Sequence, residues 1–150
     1  MNNHFPTIIS QAEALIKGES DLIANMANVS ALLYNNLSDV NWAGFYRVVE
    51  EQLILGPFQG QPACIRIPLG KGVCGTAVTQ NVTQLVDDVL QFEGHIFCDA
   101  ASKSEIVIPI RVDNKVVAVL DIDSPILARF NQNDADQLTK IVDLIENSLQ

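Results

Sequence analysis

The sequence predicts an α+β fold, an antiparallel sheet with N- and C-terminal helices packed on one face, in a single domain over residues 1–150. Three observations predict it. Apolar residues recur at helical spacing at both ends of the chain. The stretch between them is built from short β-branched and aromatic runs bounded by Gly, Pro, Asn and Asp. The two clearest runs flank Asp113-Asn114, a tight hairpin signal that makes the pairing antiparallel.

Each element has its own warrant. "TIISQAEALIKGES" puts Ile8, Ile9, Ala12, Leu15 and Ile16 on one helical face, with a break at Gly18. "SDLIANMANVSALLYNNL" repeats the pattern through Leu22, Ile23, Met26, Val29, Leu32 and Leu33, with Ser20 expected as N-cap. From Val40, "NWAGFYRVV", "QLILGPF" and "ACIRIPL" read as strands. "GKGVCGTAVTQ" is glycine-spaced with a short helical middle, and "TQLVDDV" is a further short strand. "SEIVIPIRV" and "KVVAVLDID" form the hairpin. A closing helix follows, with Asn131 as N-cap, Asp134 completing a weakened capping box, and a stripe of Leu138, Ile141, Val142 and Ile145.

Composition narrows the function classes. An apolar content of 48% over 150 residues suffices for a hydrophobic core. A net charge of −9 without a basic stripe argues against nucleic acid and suits a cationic small ligand. The start "MNNHFPTIIS" has neither the basic nor the continuous apolar region of a signal peptide, and no apolar run is long enough to span a bilayer. The expected location is cytoplasmic, where thiols stay reduced unless catalytic or redox-sensing. Three cysteines, an odd number, argue against a structural disulfide framework.

The chemistry-bearing residues fall in three groups. In "KVVAVLDID", alternation puts Val117, Val119, Asp121 and Asp123 on one face, and Val116, Ala118, Leu120 and Ile122 on the other. Pairing about the turn brings Glu105 opposite position 122, within one residue of both Asp121 and Asp123, with allowance for a bulge or register error. This is either the wet face of a half-buried sheet or a carboxylate cluster that binds a cation or keeps a proton for acid catalysis. In "NWAGFY", Trp42, Gly44 and Tyr46 share a face, with rings expected about 13 Å apart over a bare glycine floor. They are core aromatics or the walls of a ligand site.

The third group is Cys64, Cys74 and Cys98. Cys64 reads alone as a small hydrophobe. Cys74 lies at an expected helix start, which would favour its thiolate. Cys98 lies in a small-residue loop. None of them has the paired spacing of a structural zinc site, so no metal is expected. His4 carries no signal, and His95 reads as a solvated loop residue.

Taken together, "NWAGFYRV", "GKGVCGTAV", "DAASKSEIVIPI" and "VVAVLDIDSP" resemble the free methionine-(R)-sulfoxide reductases, enzymes with a single GAF-like domain, over nearly the whole chain. The resemblance implies thiol-dependent reduction of free L-methionine-(R)-sulfoxide to L-methionine. It implies Cys98 as the sulfenic-acid-forming nucleophile, Cys64 as the resolving thiol and Cys74 as an auxiliary one. Trp42 and Tyr46 would wall the substrate, and Glu105, Asp121 and Asp123 would form the polar end of the pocket, with Glu105 also catalytic. It further implies a disulfide recycled by thioredoxin, no cofactor and a homodimer. The alternative is a GAF domain that senses a small ligand without turning it over.

Overall fold

The computed structural model describes residues 4–96 and 101–149. Two helices open the chain. α1 (Phe5–Ile16) buries Phe5, Ile8, Ala12 and Ile16, and the chain leaves it through Gly18 at a φ of 77°. α2 (Leu22–Asn36) is capped by Asp21, whose carboxylate accepts from Ala24 N at 2.9 Å. The expected cap, Ser20, is one residue too early, because the capping oxygen must reach a backbone N–H two or three residues on.

The sheet follows. β1 (Trp42–Val49), β2 (Gln52–Gly60), β3 (Arg66–Pro68), β4 (Gln84–Val86), β5 (Ser104–Val112) and β6 (Lys115–Ser124) form one antiparallel sheet in the order β3-β2-β1-β6-β5-β4. α3 (Gly72–Gln80) lies between β3 and β4, and α4 (Gln132–Ser148) closes the chain. Asn131 and Asp134 form the full reciprocal capping box of α4.

The two sheet faces do different work. On one, α1, α2 and α4 bury the main core, including Leu138, Ile141 and Ile145 from α4 against Ile106, Ile108, Leu120 and Ile122. Full burial of each such side chain is worth about 1.5–3 kcal/mol. On the other, α3 covers a smaller core of Leu53, Ile67, Val73, Val107 and Val119. α3 can sit this close because position 75 is glycine: a Cβ there would stand 2.7 Å from Pro68 O.

The central hairpin departs from simple alternation. Val112 pairs with Lys115 and Arg111 with Val116, but Ile110 pairs with Ala118, so Val117 is the extra residue of a bulge. Val116 therefore joins Val119 in the smaller core, while Val117 packs against the main one, the reverse of strict alternation. Beyond the bulge the register is displaced by one, and Glu105 pairs directly with Asp123.

Candidate active site

The bulge builds the site. With the register displaced, Glu105 faces Asp123 on one side and Val86 on the other, while Asp121 lies between Gly44 and Val107. Glu105 and Asp121 are 7% and 5% exposed. They line a cavity of about 40 Å³ together with Asp123, Trp42, Tyr46 and Cys74. A half-buried sheet with a wet face would have left these carboxyl groups in solvent; here Glu105 and Asp121 are buried at one cavity wall.

Burial sets the charge state. Glu105 is pushed well above the usual carboxylate range, first by desolvation and then by Asp121 and Asp123. Asp121 is raised by desolvation, which hydrogen bonds from Glu105, Cys74 and Asp123 partly oppose. Among the described residues, no hydrogen-bond partner is placed on Asp121 Oδ1, which is buried. Both shifts favour the protonated forms of Glu105 and Asp121.

Cys74 stands at the third position of α3, whose N-cap is Lys71. The expected thiolate is not formed. Burial, and then the negative field of Asp121 and Glu105, push the thiol up, outweighing the helix N-terminus. Cys74 is a free thiol, 4% exposed, whereas Cys64 is disulfide-bonded. Cys98 lies outside the described residues.

The aromatic pair is not two walls over a bare floor. Trp42 and Tyr46 are stacked with centroids 6.0 Å apart, and Phe58 stacks on Trp42 at 5.2 Å. Phe58 fills the space over Gly44: a Cβ there would meet Phe58 Cβ at 2.3 Å and the Trp42 ring at 2.9 Å. The missing Cβ at position 44 makes room for the close approach of Phe58 from the neighbouring strand. A register shift in β1 between Gly44 and Tyr46 accompanies the close approach of the rings.

Both aromatics also hold the segment that carries Cys64. Trp42 Nε1 donates to Gln61 O at 3.1 Å, Tyr46 Oη donates to Cys64 O at 2.8 Å, and Leu55 N donates to Ile65 O at 2.8 Å. Residues 61–65 are thus fastened to β1 and β2 at three points.

His95 departs from its expected place. It is not a solvated loop residue: its side chain is 9% exposed, and Nε2 lies 3.9 Å from Glu105 Oε1 at the cavity wall. Burial lowers its pKa and favours the neutral ring. The one available signal was its position three residues before Cys98, which no periodicity marks.

These features define a class: a small-ligand domain whose cavity joins a buried thiol to buried carboxyl groups. The sequence matches the GAF domain family over residues 24–150. It is 56% identical to Protein YtsP of Bacillus subtilis (strain 168), covering 97% of this chain and 90% of that protein. It is 54% identical to the free methionine-R-sulfoxide reductase of Escherichia coli (strain K12), covering 91% of this chain and 82% of that one. The fold superposes with a TM-score of 0.96 on the structure of fRMsr of Staphylococcus aureus in complex with substrate, at 53% identity and with 100% and 98% of the two chains covered. The chain belongs to the GAF domain family, among its free methionine-R-sulfoxide reductases.

Proposed function

We propose that this protein reduces free L-methionine-(R)-sulfoxide to L-methionine through cysteine thiols. The observation that carries this reading is the cluster of Glu105, Asp121 and Asp123 in a cavity beside the segment of Cys64, where burial raises the pKa of Glu105 and Asp121. A sulfoxide oxygen leaves only when protonated, and a carboxylic acid kept neutral by burial can supply that proton.

In this mechanism the Cys98 thiolate attacks the sulfoxide sulfur while the cluster, through Glu105, protonates the oxygen. Oxygen passes to Cys98 as a sulfenic acid, and the substrate departs as the thioether. Cys64 condenses with the sulfenic acid, releasing water and forming a Cys64–Cys98 disulfide. A thioredoxin-type dithiol reduces that bond by exchange, returning both thiols. The disulfide-bonded state of Cys64 and the free, high-pKa thiol of Cys74 support Cys64 as the resolving residue.

The substrate follows from the same cluster. The carboxyl groups accept the free ammonium of an amino acid, which a peptide amide lacks, and an enclosed cavity cannot pass a chain. Incubation with excess dithiol should consume the R epimer of free methionine sulfoxide and leave the S epimer and the peptide-bound residue intact, as read by chromatography. Comparable reduction of a blocked peptide would overturn the assignment, and binding without turnover would make the domain a sensor.

A further inference from the structure

A thiol and two carboxyl groups converge at the carboxyl end of the cavity. Cys74 Sγ and one carboxyl oxygen each from Glu105 and Asp121 all lie within 4.8 Å of one another, and all three residues are buried. His95 brings an imidazole to the same wall, with Nε2 3.9 Å from Glu105 Oε1. These side chains come from α3, β5, β6 and the segment after β4, so no short spacing along the chain announces them. Thiol, imidazole and carboxyl groups make the mixed donor set that suits a borderline-soft divalent cation.

A second observation points the same way. Among the described residues, Asp121 Oδ1 is buried at the cavity wall with no hydrogen-bond partner, an arrangement that costs free energy until a cation or donor reaches it. The cavity, about 40 Å³, has room for an ion and a bound water. Lys71 is the only lysine or arginine among the residues that line it.

We propose that this cavity is a Zn²⁺ site, with Cys74, Glu105 and Asp121 as ligands and His95 as a fourth donor, occupied in competition with the sulfoxide. On binding, the Cys74 S–H bond breaks, its proton passes to solvent, and a zinc–sulfur bond forms with no change of oxidation state. Protons held by the carboxyl groups leave in the same step. Loading with zinc would block the pocket that the proposed reduction needs, so the enzyme would be inhibited when free zinc rises. Binding is read without turnover, so its failure would leave the reductase reading intact.

The test uses the full chain with Cys64→Ser and Cys98→Ser, which leaves Cys74 as the sole thiol. Titration with Cd²⁺ should give a thiolate-to-metal charge-transfer band that saturates at one equivalent, is reversed by Zn²⁺ and vanishes when Cys74→Ser is added. Calorimetry should show zinc binding weakened at least ~tenfold by Glu105→Gln and by Asp121→Asn. Excess free methionine-(R)-sulfoxide should weaken it too. If circular dichroism shows the double variant unfolded, the same titration is made on the wild-type disulfide form. Absence of the band, or zinc affinity unchanged by all three substitutions, would overturn the site. Binding insensitive to the sulfoxide would overturn the competition.

Discussion

Glu105 is a carboxyl group that the fold prevents from ionising normally. It is buried, it pairs with Asp123, and it lies within a hydrogen bond's reach of Asp121, so each negative charge would face another. Glu105→Gln keeps the size and much of the hydrogen bonding but removes the acid. Turnover of free methionine-(R)-sulfoxide should fall ~10²- to 10⁴-fold, the usual contribution of general acid catalysis. A steady-state assay showing near-normal kcat would remove Glu105 from the proposed chemistry. Much of this cluster was legible in the sequence, because strand alternation and a turn signal already placed Glu105 near both aspartates. His95 was not legible, since a loop has no period from which a direction can be read. Cys74 was placed correctly at a helix start but assigned the wrong charge state. The helix dipole is local and visible in sequence, whereas the carboxyl groups that overrule it arrive from β5 and β6.

At the scale of elements, two local irregularities decide the geometry. The bulge at Val117 turns an offset pairing into a direct Glu105–Asp123 pair. The glycine at position 44 draws Phe58 inward and brings the Trp42 and Tyr46 rings together. Neither follows from alternation, because a bulge is one extra residue in a strand that still reads as continuous. The same strand, β1, fixes the segment of Cys64 through Tyr46 and Trp42. Tyr46→Phe removes one anchor, a hydrogen bond worth ~0.5–1.5 kcal/mol, while keeping the ring. The loss should fall mainly on disulfide formation and recycling, slowing them roughly two- to tenfold, and less on the first reduction. Stopped-flow comparison of the first turnover with later ones checks this. Equal slowing of both would make Tyr46 a wall of the substrate site and not an anchor of Cys64.

The whole molecule feels the buried acids as a cost that varies with pH. In the unfolded chain Glu105 ionises near its ordinary 4.5, while in the native state it keeps its proton to much higher pH. Between those limits the native state binds more protons, so stability falls as pH rises. Chemical denaturation at about pH 5 and about pH 8 should show wild-type stability declining, and the Glu105→Gln variant declining less. Parallel behaviour would mean that Glu105 ionises alike in both states. Helices on one face and the cavity on the other let the main core stay intact while the site carries this burden, and that layered plan was readable from the helical ends and central strands alone. A single turnover without added reductant separates the cysteine that reduces the sulfoxide from the one that resolves it. Purified, reduced Cys64→Ser should yield up to one methionine per chain and leave a dimedone-reactive sulfenic acid on Cys98, and Cys98→Ser should yield none. A full first turnover by Cys98→Ser, with none by Cys74→Ser, would make Cys74 the attacking thiol.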